Sequence, residues 1–448
     1  MRWPTFLRLS IALAAEVLLC ASLNWFDDWT LQEMPVKFVT AAMLCGIAYF
    51  VATKEFRKVT QAASALRWQA LIFWLVVVVL RVVALPLAPG DDFWRYQWEG
   101  KIQLAGFNPY VNAPDDPQLE EVRAQYPAWQ KINHRDFRAI YPPGAEIIFA
   151  GLSRISDFPL FYKLIFAVAD IATIAVLLRL LGETSRYASA AWYAWNPLVV
   201  YSFAGAAHFD SLMILPLTAG VLFLTRFETA TESRQKWFLA LAASTAFGIA
   251  ISIKLVPILL LGSCVFALGW RAITLLVSVG IPGLLSLFYG YPKIDIWESL
   301  GRFAHVTRLN DLFWWLIEDT VWTNPHQKNY HYNVILIVCV AAVSLLFWRN
   351  WKRGLIWTLG TALFLTPVLH PWYCTWILPM AAWRRARTWF VFSITLFAYF
   401  LFWNERLFRL PWHAEPWMRA IIIIPVLVAA IFFGLTQRAQ RTQSESPS

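Results

Sequence analysis

Eleven consecutive residues, Asp91-Asp92-Phe93-Trp94-Arg95-Tyr96-Gln97-Trp98-Glu99-Gly100-Lys101, bring together three acids, two cations and four aromatic rings. Two adjacent carboxylates at the end of an apolar segment raise and split each other's pKa, which suits one of them to accept a proton near neutral pH. On a helix Asp91, Arg95 and Glu99 recur at i, i+4 and i+8 along one face, which serves either catalysis or a structural salt-bridge stripe. Tyr96 and Lys101 complete the polar set. Downstream, Gly106-Phe107-Asn108-Pro109-Tyr110 and Tyr141-Pro142-Pro143 read as turns, because proline fixes its own φ and biases the residue before it toward extended backbone. Asn108 belongs to the first turn, and Tyr110 and Tyr141 can stack on a sugar or contact its hydroxyls. His134, in Asn133-His134-Arg135-Asp136, either holds a phosphate and titrates near neutrality or is a surface histidine.

Three more candidates lie far along the chain. Lys254 is a charge embedded in Ile251-Ser252-Ile253-Lys254-Leu255-Val256-Pro257, where it either faces a polar cavity or snorkels to the headgroups. His208 and Asp210 follow the small residues Ala204 to Ala207 at a hairpin turn. His370-Pro371-Trp372-Tyr373, after Thr366-Pro367, has the irregular, proline-interrupted character of backbone lining a cavity, which makes His370 and Tyr373 candidates. A divalent cation on Asp91, Asp92, Glu99 or His370 is compatible with the residue types, although no spacing specifies one and no metal ligand set is assigned.

The elements that must hold these residues are membrane spans. Of 448 residues, 59% are hydrophobic and 15% charged, the mean hydropathy is +0.51, and many apolar runs approach twenty residues. The net charge of +10 does not point to nucleic acid, because Lys and Arg fall mostly in short loops between apolar runs. Five cysteines, odd in number and nearly all in apolar segments, indicate neither a disulfide framework nor a metal site.

Positive charge then orients the chain. Arg2 and Arg8 put the N-terminus in the cytoplasm, and the first run, Leu7 to Asn24, reads as a retained span because no small-residue cleavage site precedes Asp27-Asp28. Lys54, Arg57, Lys58 and Arg67 form a cytoplasmic loop, so the third span, Gln69 to Leu85, delivers Asp91 outside. Gly144–Ile155 is too short to cross and reads as a re-entrant or interfacial helix. Continuing the alternation gives about fourteen spans, with Arg384, Arg385 and Arg387 inside and both termini cytoplasmic. The expected fold is an all-α polytopic membrane protein, a helical bundle of about 12–15 transmembrane spans with a large extracytoplasmic loop after the third. Its expected divisions are 1–86, N-terminal spans; 87–158, catalytic loop and re-entrant helix; 159–436, the bundle with outer loops 291–332 and 404–417; and 437–448, a disordered cytoplasmic tail. Asp91–Tyr141, His208/Asp210, Lys254 and His370/Tyr373 all fall on the outer face by this count, which did not use them. No internal repeat is visible, and the polar groups gather at one rim, which weighs against a transporter or flippase.

Together, Asp92-Phe93-Trp94-Arg95-Tyr96-Gln97-Trp98-Glu99-Gly100-Lys101-Ile102-Gln103, Gly106 to Tyr110, Ile132-Asn133-His134 and Ile140 to Pro143 resemble the bacterial polyprenol-phosphate-mannose-dependent mannosyltransferases of the GT-C superfamily. Asn196-Pro197-Leu198, His208 and Asp210, Lys254 and Pro257, and His370 to Tyr373 resemble further landmarks of that group, so the likeness runs from Asp91 to about Pro379. The resemblance implies a multispanning inner or plasma membrane enzyme with its site on the extracytoplasmic face. Its donor would be a polyprenyl-phosphate-linked hexose, most simply mannose, its acceptor a lipid or glycan, and its other partners membrane lipids. It also implies an essential loop acid and inversion at the anomeric carbon. That acid matches Asp91 or Asp92, and the choice stays open because Phe93-Trp94 fills the family's aliphatic-aromatic gap before Arg95-Tyr96. In the expected mechanism this acid takes the acceptor proton, while Lys254, Arg95, Lys101 and His370 are candidates to stabilise the departing phosphate. A lipid-linked glycan ligase or polymerase is the nearest alternative, and would lean on Arg302, His305, Arg308 and His326 of the later outer loop.

Overall fold

The computed structural model describes residues 3–62, 66–182, 186–324, 328–403 and 416–445. From the N-terminus, α1 (Trp3–Ser22), α2 (Met34–Ala62) and α3 (Leu66–Ala84) lead to α4 (Asp91–Leu104). A short α5 (Glu120–Ala124) precedes α6 (Pro143–Ile155), α7 (Pro159–Leu180), α8 (Arg186–Ala194) and the single turn α9 (Pro197–Val200). There follow α10 (Asp210–Thr229), α11 (Ser233–Ile253), α12 (Leu261–Leu268), α13 (Leu276–Leu287), α14 (Glu298–Val306) and α15 (Trp314–Thr320). The chain closes with α16 (Tyr330–Leu346), α17 (Trp351–Leu365), α18 (Leu378–Arg384), α19 (Thr388–Thr395) and α20 (Pro416–Glu445). Among the described residues the only β pairing is an isolated bridge between Leu309 and Val368. The protein is all-α.

Among the described residues eight helical stretches are long and apolar enough to cross a membrane, including Trp3–Trp25, Pro159–Leu180 and Asp210–Thr229. Their surfaces agree with a lipid environment. In α3 the exposed Leu71, Leu75, Val78 and Val82 repeat at helical spacing, while Phe73, Val77, Leu80 and Ala84 are buried on the other side. Water would penalise such an apolar stripe and acyl chains do not. Several of the other apolar runs expected to span are broken into shorter helices. Asn196-Pro197 divides Ala188–Phe203 into α8 and α9, and Val256–Leu287 is a single 32-residue stretch interrupted at Gly269, which has φ 58°. Two further apolar helices, Tyr330–Leu346 and Thr388–Trp403, are shorter. The 404–417 loop and His326 lie almost wholly or wholly outside the described residues. Helix α20 continues to Glu445, through most of the stretch expected to form a disordered tail. The Gln, Arg and Ala residues there are good helix formers, and extending a helix is easier than starting one.

The chain divides into two compact units. One comprises Met1–Leu87, Leu181–Tyr201 and Leu369–Ser448. Its three segments are joined by buried polar ties: the Tyr49 hydroxyl donates to the Trp192 carbonyl at 2.5 Å, Arg81 donates to the Ala194 carbonyl at 2.5 Å, and the Asn196 amide donates to Ser393 at 2.8 Å. Asn196 also caps α9 by accepting from the Leu198 and Val199 amides, with Pro197 at the first helical position, where no N–H is needed.

The other unit comprises Ala88–Leu180 and Ser202–Val368. Here α4 packs along α6, and the loop between them has its own small core, in which Trp98 and Ile102 of α4 meet Leu119, Tyr126 and Ile132. The two helices come unusually close. A Cβ at Gly100 would collide with the Phe149 carbonyl and the Ser153 hydroxyl of α6, and α6 is as close to α11, where a Cβ at Gly144 would stand 2.6 Å from the Ser252 carbonyl.

Candidate active site

At the start of α4, Gly90 is extended and donates its N–H to the Ala206 carbonyl at 2.9 Å, which aims the first turn of the helix at the 202–210 segment. Asp91 and Asp92 occupy that turn, where the helix dipole favours negative charge. Asn133, reaching in from the loop, donates to both, at 3.3 Å to Asp91 and 3.0 Å to Asp92. On the far side, Ala207 adopts the left-handed region at φ 61° and turns the chain so that buried His208 presents Nδ1 3.9 Å from the second oxygen of Asp92. Two residues on, Asp210 opens α10 fully buried and accepts from Lys254 Nζ at 2.5 Å. Lys254 stands where α11 ends in extended backbone before Pro257, with its side chain 15% exposed.

Below this cluster lies a box of four rings. Tyr96, Tyr141, Phe149 and Phe209 come from four separate segments, and every pair has centroids 5.0 to 5.7 Å apart. Phe209 lies between His208 and Asp210 in sequence, and the Lys254 ammonium is 5.1 Å from its ring.

The two acids differ in environment. Burial first, and the Asp91 charge next, push Asp92 up to about 7, against the lowering effects of the Asn133 hydrogen bond and the Lys254 charge. Asp92 is nonetheless 23% exposed and therefore reachable. It combines the protonation behaviour of a base near neutrality with a neutral amide, an imidazole and an ammonium arranged around it.

A second buried network lies deeper between α4 and α6. Arg95 donates to Glu99 at 2.7 Å and to the carbonyls of His134, at 2.9 Å, Phe137 and Arg138, at 2.8 Å. Glu146 on α6 is held well above the usual carboxylate range by burial, then by the charge of Glu99 and a hydrogen bond to it. Gln103 donates to Glu146 Oε2 at 3.1 Å and accepts from the Tyr289 hydroxyl at 2.8 Å.

The sequence candidates therefore separate. Asp91, Asp92, His208, Asp210, Lys254, Tyr96 and Tyr141 come together. Arg95 and Glu99 instead hold the loop, and Lys101 pairs with Asp157 at 2.7 Å, roughly 13 Å along the helix from Asp92. Asn108 forms a turn by accepting from the Tyr110 amide and ties to the Tyr289 carbonyl, while the Tyr110 hydroxyl donates to the Tyr141 carbonyl. His134 is exposed, with a left-handed φ of 45°. His370 and Tyr373 belong to the other unit, where His370 stacks on Trp372 at 4.4 Å and bonds the Tyr399 hydroxyl at 3.1 Å, and Tyr373 stacks on Trp376. Of the residues favouring the alternative reading, Arg302 pairs with Asp136, and Arg308 pairs with Asp311 and Glu318. Among the described residues no group of three or more His, Cys, Asp or Glu side chains could hold a metal ion. Sequence reasoning missed Asn133, Phe209, Phe149 and Glu146. Asn133 sits beside His134 in sequence, and nothing in its own surroundings pointed to Asp91 and Asp92, 42 and 41 residues away.

Residues 10–270 match the family described as alpha-(1->6)-mannopyranosyltransferase, N-terminal domain. No curated protein and no solved structure matches the chain.

Proposed function

The chain belongs to the alpha-(1->6)-mannopyranosyltransferase family and is a membrane mannosyltransferase; from that premise we propose that it moves mannose from a polyprenyl-phosphate donor to a hydroxyl of a lipid or glycan acceptor, with Asp92 as base. The reaction runs on the extracytoplasmic face, in a GT-C type site, and forms the alpha-(1->6) linkage with inversion. The acceptor hydroxyl gives its proton to the Asp92 carboxylate while its oxygen attacks C1, and the C1–O bond to phosphate breaks through an oxocarbenium-like transition state. The leaving polyprenyl phosphate is already an anion of low basicity, so it needs a cation more than a proton. Lys254 supplies that charge, and Asp210 fixes its direction. Of the ring box, Tyr96, Phe149 and Phe209 are buried against one another, and half-buried Tyr141 is the ring that would contact the sugar.

What supports Asp92 over Asp91 is the single observation that its carboxyl is pushed up to about 7 while held between Asn133 and His208. The test is incubation of membranes carrying wild type, Asp92→Asn or Asp91→Asn with labelled polyprenyl-phosphate mannose, glucose or arabinose. Mannose transfer should fall on the order of 100-fold or more in Asp92→Asn, with a smaller loss in Asp91→Asn. Full activity of both variants would remove the mechanism, and transfer of another sugar in place of mannose would remove the donor.

A further inference from the structure

In the unit built from Met1–Leu87, Leu181–Tyr201 and Leu369–Ser448, a cavity of about 260 Å³ is lined by Arg57 of α2, Arg385 and Arg387 between α18 and α19, and Gln61, Ser189 and Trp192. The arginines come from the end of α2 and from the α18–α19 turn, two stretches that the positive-charge count puts in the cytoplasm. Among the described residues none of the three is in ion-pair reach of a carboxylate, although the acids near other loop cations are paired, as Glu55 is with Lys58 and Glu228 with Lys352. Three like charges around one hollow repel each other. Arg387 is half-buried, and burial first, then Arg57 and Arg385, hold it below the usual arginine range. Its guanidinium lies 5.9 Å from the ring of Trp192, another lining residue. Arg385 is held in the left-handed region at φ 58°, where its amide closes the end of α18 on Ala381 and Ala382. That is a strained conformation for a residue with a Cβ, and it turns the side chain out of the helix.

We propose that this cavity is an anion site for a phosphate group, with Arg57, Arg385 and Arg387 as its cationic ligands and Ser189 and Gln61 as neutral hydrogen-bonding partners. Guanidinium forks match phosphate oxygens in pairs, and a bound anion relieves the repulsion among the three charges. The volume admits a phosphate with a small alcohol attached, so the phosphate comes from the headgroup of an anionic phospholipid or from free phosphate. The site is independent of the Asp92 cluster.

The test is calorimetric titration of the purified full chain, washed extensively in detergent, with short-chain phosphatidylglycerol, short-chain phosphatidylcholine and inorganic phosphate. Saturable binding of phosphatidylglycerol or inorganic phosphate is expected, weakened about tenfold or more in Arg385→Gln and Arg387→Gln. Arg384→Gln, which removes the same charge next door but does not line the cavity, should bind like wild type. Phosphatidylglycerol binding alone identifies the lipid headgroup as the source, and inorganic phosphate binding alone identifies the free ion. Arg57→Gln on α2 tests the site without touching the α18–α19 turn, and unfolding midpoints show whether each variant is folded. No binding of either anion, or equal weakening by Arg384→Gln, would overturn the site in favour of diffuse loop charge.

Discussion

Asp92 decides the chemistry at the scale of single residues. Transfer needs its carboxylate, so the rate should fall as pH drops below about 7. The Asn133 bond lowers the Asp92 value, so Asn133→Ala should move that inflection to higher pH, read from the pH profile of transfer. Stability carries the opposite sign. The folded value lies above the ordinary Asp value of about 4, so the folded state binds the proton more tightly. Its contribution is therefore present at low pH and lost as pH rises through about 7, and Asp92→Asn should flatten this dependence of the unfolding midpoint. Lys254→Ala leaves Asp210 buried without its main cation and should destabilise by about 3–5 kcal/mol. Adding Asp210→Asn should recover stability but not transfer, which separates the structural from the chemical role of the pair. The sequence made Asp91, Asp92, His208, Asp210 and Lys254 visible because charge in apolar surroundings stands out. It could not distinguish Asp92 from Asp91, because the difference arises from burial and from Asn133, 41 residues away.

At the scale of elements, the close approach of α4 and α6 carries the first acid-bearing turn. Gly100→Ala should lower the unfolding midpoint and the transfer rate together, since the added methyl meets backbone that cannot yield. The Glu99–Glu146 pair is the polar counterpart of that contact. Through Arg95 it reaches the carbonyls of the loop that presents Asn133. Glu146→Gln keeps a donor to Glu99 and should retain most activity, whereas Glu146→Leu leaves Glu99 without it and should reduce transfer and stability in parallel assays. The i, i+4 spacing of Arg95 and Glu99 was legible as a stripe open to either reading, and the packing makes of it a buried ion pair that ties down the loop. The partner Glu146 lay within the short apolar run Gly144–Ile155 and was not singled out.

At the scale of the whole molecule, hydropathy made the class of fold plain, since runs of twenty apolar residues leave few alternatives. The number of spans was less legible, because proline and asparagine breaks inside apolar runs do not alter their mean hydropathy. The orientation inferred from charge has its own test. A single cysteine placed at exposed Gln125 should react with a membrane-impermeant maleimide in intact cells, and one at Arg67 only after permeabilisation. Reversed labelling would put the Asp92 cluster in the cytoplasm and exclude an outer-leaflet donor.

Asn196 reaches Ser393 across almost two hundred positions of chain, in a unit whose three pieces are separated by both stretches of the other. On the ribosome, the first 87 residues enter the bilayer long before residues 369–448 exist. The early helices must therefore wait, partly unpartnered among lipids, until translation is nearly over. A nascent chain halted at Val368 contains every residue of the Asp92 unit and lacks the segment that bonds Asn196, so arrested chains should become protease-resistant in the later-starting unit first.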